Sequence, residues 1–284
     1  MKKRLSGWAV GRLSVSRKPL FLLICPIAYL LNRSFLCAVP PFKSMYEAKY
    51  GYKVNCVLCH LEDGWNLNHF GQTFLRQGAN GKALSEMEGS DVDRDGFLTK
   101  DEIAAKSNPG DATSAPDRAG KWLDNIASIK PPVKVMSQVF PQALSYSTLE
   151  RALDDDEMNR LKRSAGVKTA DDVDRHAVVF LAREAKGVAG GSCYVPVIEI
   201  GAKGTEVNVF LLSVNPNGKI LDVIAVHVHR NVLMKEEFLR KFRDLFPADV
   251  AKVKFPKGIP GKLAEAIRAQ FAKYASQVDI VIGP

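Results

Sequence analysis

The run Cys56-Val-Leu-Cys59-His60 constrains this chain more than any other five residues in it. Two thiols three positions apart can add to the two vinyl groups of one haem, while the adjacent imidazole reaches the iron from the same side. A segment built this way has to fold around a flat apolar group. Cys56 and Cys59 are then the thioether residues and His60 the proximal axial ligand. Rival chemistries ask for more than the chain offers. A zinc centre needs a second ligand pair at suitable spacing, and Cys193 stands alone downstream. A dithiol redox site expects a thioredoxin-like βαβ setting, which does not surround residues 56–60. Met45, Met87, His69 and Met136 could each take the opposite axial position, and spacing does not choose among them. Each also has a plainer reading, Met87 as a core contact and His69 as a solvated loop residue.

The second chemically specific run is Asp91-Val-Asp-Arg-Asp-Gly-Phe-Leu-Thr-Lys-Asp-Glu102, which matches a calcium-binding EF-hand loop. Asp91, Asp93 and Asp95 occupy the first three ligand positions, and Gly96 makes the sharp turn. Phe97 offers its carbonyl, Thr99 contributes directly or through water, and Glu102 closes the site with both oxygens. Hard oxygen donors at this density suit Ca²⁺, and without a cation they repel one another. No second loop pairs with this one. A structural staple is therefore expected, rather than a sensor.

Charge sorts the chain by region. The 284 residues carry 40 Lys and Arg against 31 Asp and Glu, a formal charge of +9 that invites a nucleic-acid or membrane-surface reading. Seven of those bases lie in residues 1–38, which contain no acid, and they precede or surround the apolar run Pro19–Leu31. A basic start, a short apolar stretch and Ala38 suggest an export signal removed near residue 38. An uncleaved anchor and lipidation of Cys37 are the alternatives, although Ser34-Phe35-Leu36 makes a poor lipidation signal. Beyond residue 38 the charges nearly balance, so nucleic acid is not expected as a partner. Residues 81–117 hold nine acids against four bases, concentrated around the calcium loop.

Patterning predicts an α+β chain. Residues 39–117 form a small helical module carrying both motifs. The run Asn108–Pro116 is a stop and linker, 118–139 is a helical linker, and helix continues to about 170. From 176 the apolar period changes to two, giving strands at 176–182, 193–200, 207–214 and 219–228 in an antiparallel sheet. Asn215-Pro-Asn-Gly218 is a hairpin turn between the last two. Amphipathic helices follow at 235–246 and 262–274. His227 and His229, two positions apart on a strand, share one face. They could bind a metal or reach a haem, but an exposed strand face beside Arg230 is the simpler explanation.

Two resemblances extend these readings. Tyr46-Glu-Ala-Lys-Tyr-Gly before the haem motif, then Leu67-Asn68-His-Phe-Gly71-Gln-Thr-Phe74, Gly78, the acidic loop and Pro109-Gly110-Asp111, resemble single-haem modules of bacterial envelope cytochromes. That resemblance spans about residues 42–117 and implies an electron carrier. Phe140-Pro141, the strands from 176 to 228, the Asn-Pro-Asn-Gly-Lys turn and the Phe238–Phe242 helix are similar to the FMN-binding domain of electron-transport proteins. Members of that family attach FMN through a Thr in a Ser-Gly-Ala-Thr run. This chain has no such run and no Thr after Thr205, so covalent FMN is not expected.

Together these readings give an exported single-haem cytochrome with one covalent haem c and one Ca²⁺. Its expected partners are redox proteins of the periplasm or outer face of the envelope, with membrane contact only through an N-terminal anchor or lipid. A structural subunit of a larger redox complex is the alternative. A haem peroxidase or gas sensor ranks last, because no distal catalytic His/Arg pocket is legible.

Overall fold

Alternating apolar residues in the C-terminal half can bury one face of each strand only by pairing, and sequential strands pair most cheaply through hairpins. The computed structural model describes residues 40–61, 66–124, 126, 128–166, 175–201 and 204–283, so the export-signal reading lies outside the described residues. It contains one five-stranded antiparallel sheet in the order β1 (Ser145–Ala152), β2 (His176–Glu184), β3 (Gly187–Gly201), β4 (Gly204–Val214) and β5 (Ile220–His227). The expected α+β class is present. Strands β2 to β5 correspond to the four predicted, and their pairing is antiparallel throughout.

The Asn215–Gly218 turn forms as the residues dictate. Asn215 Oδ1 accepts from the backbone of Asn217 and Lys219 at 3.0 and 3.1 Å, and Gly218 takes φ +76°. That φ favours glycine, and an added Cβ would also stand 2.6 Å from Asp279 Oδ1. The turn sequence thus fixes the β4–β5 register and the approach of the last helix.

Two features depart from the sequence reading. The stretch 118–170 is not helical throughout, because β1 occupies residues 145–152 at the sheet edge. Its polar side chains are mostly half-exposed, so it lacks the strict alternation of a strand with one buried face. The expected helix 235–246 is a single short turn, Glu236–Leu239, followed by a 3₁₀ turn. Asp244 N donates to Ile220 O at 2.8 Å and Ile220 N donates to Leu245 O at 2.9 Å, drawing the chain out of helix onto the start of β5. Asp244 adopts φ +63° to make that exit.

The sheet is covered on both faces. Helix Gly261–Ile282, longer than predicted, lies on one face, where Phe271 meets Phe210 and Phe242 edge-on at 5.0 and 4.8 Å. Each fully buried Phe contributes on the order of 1.5–3 kcal/mol. Helix Val133–Val139 and Phe140 cover part of the other face, packing Met136 with Phe180 and Leu211. Helix Asp155–Ala165, between β1 and β2, starts with a capping box in which Asp154 and Glu157 satisfy each other's backbone N–H.

The N-terminal module comprises helices Pro40–Tyr50, His69–Arg76, Gly81–Met87 and Thr99–Ala105 around Tyr46, Phe70, Phe74, Leu84 and Met87. Ile198 of β3 packs against this core. Lys53 reaches from the module to Glu150 of β1 at 2.7 Å. No helix among the described residues is long and apolar enough to cross a membrane.

Candidate functional site

Cys56, Val57 and Leu58 form a 3₁₀ turn capped by Asn55, whose side chain accepts from Cys56 N. The turn closes with Cys59 N and His60 N both donating to Cys56 O, at 3.2 and 3.1 Å. A turn this tight would normally expose its carbonyls to solvent. Here Asn68 holds it from behind. Its Nδ2 donates to Val57 O and Leu58 O, each at 3.0 Å, while its Oδ1 caps the helix at His69 by accepting from Gly71 N at 2.9 Å. Asn108, fifty-one residues downstream of Val57, donates its Nδ2 to the same Val57 carbonyl at 3.2 Å. Helix His69–Arg76 is drawn close enough that only glycine fits at Gly71.

Cys56, Cys59 and His60 all line one apolar hollow of about 120 Å³, partly open to solvent. Phe42, Val54, Leu67, Phe74 and Leu75 supply much of its wall, and Val207 of β4 closes it from the sheet side. Burial pushes the Cys59 thiol up to about 12, with the neighbouring Cys56 adding to the effect. A thiol poised for disulfide exchange is shifted in the opposite direction.

The four residues offered for the opposite axial position do not line this hollow. Met87 is fully buried in the module core and Met45 packs against that core. His69 is exposed at the first position of its helix. Met136 belongs to the separate cluster with Phe140. Lys43 does line the hollow, with its Nζ 2.8 Å from Glu47 Oε1.

In the acidic loop the side-chain oxygens of Asp91, Asp93 and Asp95 converge within 4.8 Å of one another. Gly96 takes φ +100° and Arg94 φ +70°, and Asp91 accepts from the backbone of Arg94, Asp95 and Gly96. Behind the loop, Thr99 and Glu102 are fully buried. Asp93 Oδ2, Asp95 Oδ2, Thr99 Oγ1 and both Glu102 carboxylate oxygens are buried without a hydrogen-bond partner among the described residues. Such orphaned acceptors are costly. Burial, then repulsion from the three aspartates, raises the Glu102 carboxyl to about 8, and burial with Asp95 beside it raises Asp93 to about 6. A divalent cation held by the converging aspartates would relieve their orphaned oxygens, and hard oxygen donors of this kind fit Ca²⁺.

Sequence reasoning missed a second convergence, of Glu47, Glu150 and His176. Lys53 lies 3.4 Å from Glu47 and 2.7 Å from Glu150, and Lys43 pairs with Glu47, so this is an ion-pair network tying the module to the sheet. Comparison with family models, curated proteins and solved structures finds no match to this chain.

Proposed function

We propose that the chain is an exported single-haem c-type cytochrome, carrying electrons between redox proteins of the cell envelope, with Ca²⁺ as a structural staple. One observation carries this reading: Cys56, Cys59 and His60 all line a single hollow whose wall is mostly apolar. Cys56 and Cys59 would hold haem covalently and His60 would ligate its iron. Bound there, haem supplies a one-electron couple.

The residues around it supply rigidity. Outer-sphere electron transfer is fast when the surroundings rearrange little between oxidation states. Asn68 and Asn108 fix the turn that carries the ligands, and the wall beside it is largely apolar. The raised Cys59 thiol argues against a dithiol exchange site. The calcium loop follows two helices after the haem turn and leads directly to Asn108, so a filled loop would hold the Asn108 clamp in register.

A ligand-binding haem is the second reading, favoured because, among the described residues lining the hollow, His60 is the only Met or His. Optical spectra of the reduced protein with and without CO separate the two. A low-spin spectrum unchanged by CO supports the carrier. Rapid CO binding replaces it with the sensor or enzyme reading.

A further inference from the structure

His227 ends β5, and the chain bends at His229 immediately beyond it. On a straight strand two side chains at i and i+2 stand about 7 Å apart, given a rise of about 3.3–3.4 Å per residue, too far for both imidazoles to hold one ion. The bend removes that separation. The rings meet edge to face with centroids 4.8 Å apart, and their Nε2 atoms lie 3.2 Å from each other.

The bend is fixed from both sides. Asn208, fully buried on β4, accepts from His229 N through its Oδ1 at 3.0 Å. Arg230, the next residue, turns its guanidinium onto Glu199 of β3, with its Nε 3.0 Å from both carboxylate oxygens. That pairing offsets the charge of Arg230. The imidazole pair itself is half-buried at His227 and exposed at His229, so an ion can reach it from solvent.

Two imidazoles bound to one ion at about 2.0–2.1 Å, with an angle between square-planar and tetrahedral, place their nitrogens about 2.8–3.4 Å apart. The observed 3.2 Å falls inside that window. We infer that His227 and His229 form a bidentate site for a first-row transition metal ion, Zn²⁺, Ni²⁺ or Cu²⁺, with water filling the remaining positions. Imidazole nitrogen selects these ions over Ca²⁺ and Mg²⁺. Neither residue is among those lining the Cys56–His60 hollow or forming the acidic loop. A neutral hydrogen bond between the two rings is the competing account of the same distance.

The test is isothermal titration of Ni²⁺ and Zn²⁺ into the full-length protein in excess Ca²⁺, which keeps the acidic loop occupied, alongside His227→Asn, His229→Gln and the double variant. One ion per chain is expected for the wild type, with each single substitution weakening binding at least tenfold and the double variant abolishing it. Thermal melting of each variant in EDTA verifies that it is folded. Cu²⁺ spectra should show two imidazole nitrogens in the wild type and fewer in each variant. Wild-type binding that persists in the folded double variant, or a wild type that binds none of these ions, overturns the proposal.

Discussion

A Cβ on Gly71 would stand 2.2 Å from the carbonyl oxygen of Cys59 and 3.0 Å from Leu67 Cδ2. The helix that begins at His69 can therefore rest against the Cys56–His60 turn only while residue 71 has no side chain. Gly71→Ala must push helix and turn apart. The expected loss is about 1–3 kcal/mol, as for other overpacked contacts, seen as a lowered thermal midpoint together with reduced covalent haem content.

Asn68 separates two roles that one substitution usually confounds. Asn68→Ala removes the cap on Gly71 N and the donor to Val57 O and Leu58 O, and should cost about 2–3 kcal/mol. Asn68→Asp keeps an acceptor for the cap but sets a carboxylate against two carbonyls. Its helix should survive while the turn loosens. Hydrogen exchange at Gly71 N and across residues 56–60 distinguishes the variants.

These contacts also mark how far the sequence could be read. The runs Cys56–His60 and Asp91–Glu102 stand out over a few residues, and the structure brings Cys56, Cys59 and His60 onto one hollow and draws the three aspartates together. Asn108 was legible only as part of a linker, because its bond to Val57 spans fifty-one residues and no periodicity encodes it. Strand β1 was hidden for another reason. Edge strands bury little, and Ser145–Ala152 carries no apolar alternation to announce itself. The 235–246 segment has a helical apolar face, yet backbone pairing of residues 244 and 245 with Ile220 outweighs local propensity.

Calcium should act on stability with a sign that depends on the ligand. Ca²⁺ at a hundred times its Kd would stabilise the wild type by about 2.7 kcal/mol. Glu102→Gln removes that response. In EDTA the same variant should melt no lower than the wild type, because it relieves a buried carboxylate that lies against three aspartates. Melting curves of both proteins in Ca²⁺ and in EDTA provide the four values required. A wild-type midpoint unmoved by Ca²⁺ would contradict the staple.

Acid sensitivity should come partly from Glu157. Its hydrogen bonds to Arg151, at 2.5 and 2.7 Å, and to Asp154 N hold its carboxyl down from 4.5 to about 2. A carboxyl lowered by folding stabilises the native state above its unfolded pKa and loses that contribution as pH falls through the folded one. Glu157→Gln should therefore cost about 1–2 kcal/mol near neutrality, a figure reduced for the 34% exposure of Arg151. The gap between variant and wild type should close between pH 4.5 and pH 2. Denaturant midpoints measured at several pH values across that range follow the closure.

The central claim is that Cys56 and Cys59 carry haem. The most direct measurement is a pyridine haemochrome spectrum with intact mass on protein exported from a host able to attach haem to such motifs, run beside Cys56→Ser/Cys59→Ser. The account predicts a c-type spectrum, a mass increased by one haem and two unreactive thiols, all lost in the double variant. A protein that is folded and exported under those conditions, yet carries no covalent haem and two titratable thiols at positions 56 and 59, would contradict it.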